Sequence, residues 1–82
     1  MEKAKVKAFQ VTEDHFRGAT PVPEWMEGRA RLLDFDGISG KIEITKHGSY
    51  WLVRPGEWFV FLEPGFIVAG ARVFHEYYEP IE

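Results

Sequence analysis

The stretch from Arg54 to Phe66, RPGEWFVFLEPGF, constrains this chain more than any other. Proline at the second position of a tight turn presets φ, and a following glycine accepts the positive φ of a type II turn. Arg54-Pro55-Gly56-Glu57 and Glu63-Pro64-Gly65-Phe66 both fit that pattern, so a strand with sharp ends is predicted between Pro55-Gly56 and Pro64-Gly65. Its inner residues Trp58, Phe59, Val60, Phe61 and Leu62 are apolar on both faces of a period-two pattern. Such a strand is either buried on both sides or keeps one aromatic face for a partner.

The remaining segments read as short strands and turns. Lys5 to Val11 predicts a first strand: Val6 and Ala8 alternate with Lys5 and Lys7, while Phe9 and Val11 fall in phase with the lysines. Thr12-Glu13-Asp14 caps one short helical turn that Gly18 interrupts. Pro23 suits a first helical position, so a helix of two turns at most is expected over Pro23–Arg29, with Trp25 and Met26 against the sheet. Leu32-Leu33 starts a second strand, and Asp34-Phe35-Asp36-Gly37 reads as a turn.

Lys41–Thr45 alternates cleanly with Ile42 and Ile44 inward. The Lys46-His47-Gly48-Ser49 connection leads to Tyr50–Val53 as its partner strand. The Trp58 strand and Phe66–Ala69 follow, so four strands in close succession predict an antiparallel meander. Ala71–Glu76 is expected to form one helical turn, and Tyr77 to Ile81 an extended tail. The expected class is mainly β within α+β: a small antiparallel meander or a partly closed barrel, with one or two short helices.

At 82 residues the expectation is a single small β-rich domain over the whole chain. A chain this short often needs extra support for its core. No cysteine is present, which excludes disulfides, thiolate metal sites and cysteine nucleophiles. Three Trp, three Tyr and seven Phe supply large buried areas instead, and homodimerisation is a second source. The net charge of −3 argues against a dedicated nucleic-acid binder, which presents a basic face to phosphates. MEKAKVK lacks the apolar core of a secretory signal, and no apolar run approaches a membrane span. A soluble intracellular protein is expected.

No catalytic constellation emerges. Gly37-Ile38-Ser39-Gly40-Lys41 resembles the end of a phosphate loop, but Phe35 stands where the first glycine is needed, Ile42 follows the lysine, and a strand comes next. Asp34-x-Asp36-Gly37 lacks the later ligands of a calcium loop. His15, His47 and His75 lie in separate segments without metal-ligand spacing, and neither Ser39 nor Ser49 stands in a nucleophile elbow. No enzyme activity, metal or cofactor is expected. The aromatic set in the C-terminal half is the remaining candidate. Trp, Tyr and Arg dominate binding hot spots, so Trp58, Phe59, Phe61, Tyr77 and Tyr78, with Arg54 and Arg72, form the candidate contact patch. A core filled with large side chains is the alternative reading of the same residues, and alternation does not decide which of Trp51 and Trp58 faces solvent.

Val6-Lys7-Ala8-Phe9-Gln10, Pro23-Glu24-Trp25-Met26, Ile44-Thr45 with Gly48, Pro55-Gly56-Glu57-Trp58-Phe59-Val60, Gly65, Val73-Phe74 and Tyr78-Glu79-Pro80-Ile81 resemble, in that order, a family of small phage and prophage proteins. The similarity spans nearly the whole chain. The departure is Ala69-Gly70-Ala71-Arg72, where family members carry a Cys/Lys-Pro segment. The resemblance implies an accessory phage product, not an enzyme, acting in the bacterial host cytoplasm on a host protein such as a CRISPR effector. It also makes Gly56 and Trp58 part of a fold signature. A sponge for a small nucleotide signal, stacking on Trp58 or Tyr77 with Arg54 or Arg72 on the phosphates, is one alternative; a virion or assembly component is another.

Overall fold

A computed structural model describes residues 2–81. It is β-rich, with seven strands in two separate sheets, two short helices and no closed barrel among the described residues. The chain forms two compact units. The described parts of Met1–Val11 and Gly56–Glu82 make one, and Thr12–Pro55 makes the other.

The first unit is built on β1 (Ala4–Gln10), β5 (Trp58–Leu62), β6 (Gly65–Ala69), α2 (Ala71–Tyr77) and β7 (Tyr78–Pro80), with strand order β6-β5-β1-β7. β5 pairs antiparallel with β1 on one side and with β6 on the other, so the Trp58 strand is interior to its sheet. Its alternate residues feed two apolar layers. Val60 packs with Ala8, Ala69 and Phe74, and Val6, Trp58, Leu62, Ile67 and Tyr78 gather round them. On the opposite face Phe59 stacks on Phe66 (4.9 Å between centroids) and meets Phe9 edge-on, and Phe61 stacks on the same Phe66 ring. A strand apolar on both faces is what such double burial requires.

The second unit holds α1 (Glu13–Arg17), a single 3₁₀ turn (Glu24–Met26), and the antiparallel sheet β2 (Ala30–Leu33), β3 (Gly40–Ile44) and β4 (Tyr50–Val53). Thr12 caps α1 and Gly18 closes it in the left-handed region. Gly40, Ile42 and Val53 are buried on one face of the sheet. The Phe16 ring lies over Gly40 so closely that any Cβ there would collide with it, and Phe35 stacks on Phe16 at 4.9 Å.

Four expectations are corrected. The four-strand succession is not one meander: β4 and β5 belong to different sheets and do not pair, so Pro55-Gly56 is a crossing rather than a hairpin. Gly56 does take positive φ (100°), and it donates its N–H to Val11 O (2.7 Å) and accepts from Gln10 Nε2, which pins the crossing to the end of β1. In the second turn Leu62 pairs with Gly65, so Pro64 occupies the third position after a cis peptide, and Gly65 has no positive φ. That is the arrangement of a type VI turn, not type II. The expected Pro23–Arg29 helix shrinks to Glu24–Met26 with Pro23 as its N-cap, although Met26 is fully buried. Finally, Tyr77 is helical rather than extended, and Tyr78–Pro80 pairs parallel with Ala4–Val6.

Candidate functional site

The residues singled out in the sequence scatter. Phe59 is 0% exposed, so its ring is core and offers nothing to a partner. Phe61 is half-buried between β1 and β6, opposite Lys7 and Phe66. Trp58 lies flat on Phe74, with centroids 4.0 Å apart and planes 2° from parallel, and His75 approaches it edge-on. Phe74 also stacks on Tyr78, so Trp58 and Tyr78 are brought together, but as packing against one helix. One face of the Trp58 ring is thus taken by Phe74. Among the described residues Trp58 Nε1 is the one buried side-chain polar atom without a hydrogen-bond partner. Tyr77 and Arg72 are exposed on α2, and Arg54 is exposed after β4. Pro55-Gly56 and Pro64-Gly65 act as turns, of the two different kinds described above.

A consecutive run of exposed apolar side chains lies on β4; Ile38, Val73, Tyr77 and Ile81 are exposed singly along the chain. Tyr50, Trp51 and Leu52 are 55%, 43% and 68% exposed, three consecutive large side chains on one strand. β4 pairs with β3 alone, which makes it an edge. The alternation of the ladder fixes which backbone groups face outward. Ile44 N–H donates to Ser49 O (2.7 Å), so Ile44 and Ser49 form a hydrogen-bonded pair, and the next such pair along the register is Ile42 with Trp51. Tyr50 and Leu52, opposite Glu43 and Lys41, therefore turn their N–H and C=O groups away from β3.

Side-chain direction follows the same alternation. Trp51 shares the face of buried Ile42, and Tyr50 and Leu52 share the face of Lys41, Glu43 and Arg31. On that face Lys41 Nζ sits 4.6 Å from the Tyr50 ring centroid, and Arg31 binds Glu43 at 2.7 Å. The first contact sets a cation against the Tyr50 ring; the second neutralises the carboxylate next to it.

Other features carry less chemistry. A shallow groove of about 450 Å³ in the same unit is bordered by His15, Met26, Glu27 and Arg31. Two of its ionisable groups already have partners: His15 Nδ1 accepts the Thr12 N–H (3.0 Å), and Arg31 is held by Glu43. Asp36, read as a turn residue, accepts from the N–H groups of Ile38 (2.8 Å) and Ser39 (2.9 Å). The Ser39 and Ile38 amides hold its carboxyl below the ordinary range. Among the described residues no three His, Asp or Glu side chains cluster as metal ligands, and no helix is long and apolar enough to cross a membrane.

Sequence reasoning missed the β4 edge. Tyr50–Val53 was legible as a strand, but nothing in its own residues distinguishes an edge from an interior position. A scan against family models found no match to this chain. Searches of curated proteins and of solved structures likewise found none.

Proposed function

We propose that this protein is a non-catalytic binding module that docks a protein partner through the outer edge of β4. The observation that carries this reading is the run Tyr50-Trp51-Leu52, exposed on an edge strand. Single exposed apolar residues need no explanation, but long apolar edges are aggregation hazards that folded proteins usually blunt with charge, proline or cover. β7 is blunted in this way by Pro80. β4 is left open and carries a Trp and a Tyr, the residue types richest in binding hot spots. The resemblance to small phage proteins supports a bacterial host protein, such as a defence component, as the partner, met in the host cytoplasm.

The test is a comparative pull-down from host lysate with wild type, a Tyr50→Lys/Leu52→Lys double variant and Tyr77→Ala. The reading predicts a stoichiometric partner captured by wild type and by Tyr77→Ala and lost by the double variant. Equal capture by all three would contradict it.

A further inference from the structure

Resting on the reading just given, we infer that the segment docking on β4 is an extended acidic peptide of the partner, added to the sheet as a fourth strand. Two observations converge on this occupant. The first is the backbone: Tyr50 and Leu52 each turn an N–H and a C=O outward, an alternating set that an extended peptide matches group for group. Strand addition draws its affinity from those main-chain bonds and its specificity from alternate side chains, here Tyr50 and Leu52 on one face and Trp51 on the other.

The second observation is charge. From residue 41 to 53 the chain carries Lys41 and Lys46 against one carboxylate, Glu43, and that carboxylate is held by Arg31. The strip is cationic within a chain whose net charge is −3. Asp34 stands 3.8 Å from Lys41 Nζ, a long contact at an exposed site that neutralises little. Acidic residues flanking an added strand would meet Lys41 and Lys46.

Charge also argues against a second copy of this chain as the occupant. Self-pairing in the antiparallel register, Tyr50 opposite the copy's Leu52, would bring the same cations together. Nucleic acid would satisfy the charge and the aromatics but leave the outward main-chain groups without matching partners.

The experiment measures fluorescence anisotropy of the full chain with three labelled probes. Two are peptides of about ten residues with the same alternating Val, Thr and Tyr centre, one flanked by Asp and Glu and the other by Lys. The third is an oligothymidylate. The acidic peptide is expected to bind at least about tenfold more tightly than its lysine twin and to weaken as salt is raised. Leu52→Pro removes one outward N–H without touching the β3–β4 ladder, and is expected to abolish binding while circular dichroism stays unchanged. If Leu52→Pro does not fold, the acidic peptide with alternate backbone amides N-methylated replaces it, and loss of binding is again expected.

Equal or tighter binding of the lysine twin would overturn the inference. So would binding of the oligothymidylate alone, or a dimer in sedimentation that Leu52→Pro dissolves. If no probe binds while the pull-down still depends on Tyr50 and Leu52, the acidic strand fails and the wider docking reading stands. A pull-down indifferent to those residues removes both.

Discussion

At the scale of single residues, three positions show how much a local pattern can and cannot disclose. Thr12 was legible as an N-cap, but the capping box is closed by His15, whose Nδ1 accepts the Thr12 N–H in the role usually taken by Glu or Gln. Burial lowers the His15 pKa from its ordinary 6.5, with Asp14 pulling the other way. The folded chain then binds this proton less readily than the unfolded chain. The contribution is present above the ordinary value and is lost as pH falls through the lower folded one. Thermal unfolding at pH about 7.5 and about 5.5 should show this loss, and His15→Gln, which keeps an acceptor, should flatten that part of the profile. Gly40 was read only as part of a failed phosphate motif. Its real constraint is the Phe16 ring above it, a tertiary neighbour that no local pattern reports. Gly40→Ala is expected to cost about 1–3 kcal/mol, and chemical denaturation of it beside Phe16→Ala and the double variant would show the two costs to be coupled. Gly56 was legible because positive φ is a backbone demand, and it is met at 100°. Gly56→Ala should destabilise by about 1 kcal/mol or more, and an unchanged melting temperature would count against the strain.

At the scale of elements, the strands were legible from alternation and turn residues, and their pairing was not. A Pro-Gly pair between two apolar runs reads as a hairpin, yet Pro55-Gly56 carries the chain from β4 in one sheet to β5 in another. What decides this is the pair of bonds between Gly56 and the Gln10–Val11 end of β1, some forty-six residues away in sequence for Gln10. Pairing with β1 and β6 makes β5 interior, while β4 pairs with β3 alone, so the aromatic strand that looked like a contact surface is core, and the Tyr50–Val53 strand is open along one side. The contrast is measurable. Phe59→Ala should cost about 3–5 kcal/mol, as deletion of a fully buried ring does. Tyr77→Ala, on the exposed side of α2, should stay within about 0.5 kcal/mol of wild type. Equal costs in denaturant titration would mean that β5 is not where its pairing puts it.

At the scale of the whole molecule, alternation and turn residues pointed to a small β-rich chain, and the fold agrees in class. The division into two compact units was not legible, because neither Val11–Thr12 nor Pro55–Gly56 is a linker by composition; both lie inside ordinary strand-and-turn sequence. The functional account rests on one claim, that β4 stands open along its outer edge. Residue-resolved amide hydrogen exchange on the isolated protein tests it most directly, since protection should alternate along a single strand. The amide of Trp51, bonded to β3, should exchange slowly, and those of Tyr50 and Leu52 should exchange fast. On addition of the acidic peptide the two fast amides should become protected. Slow exchange at all three positions in the isolated protein would contradict the account, because the edge would then already be covered.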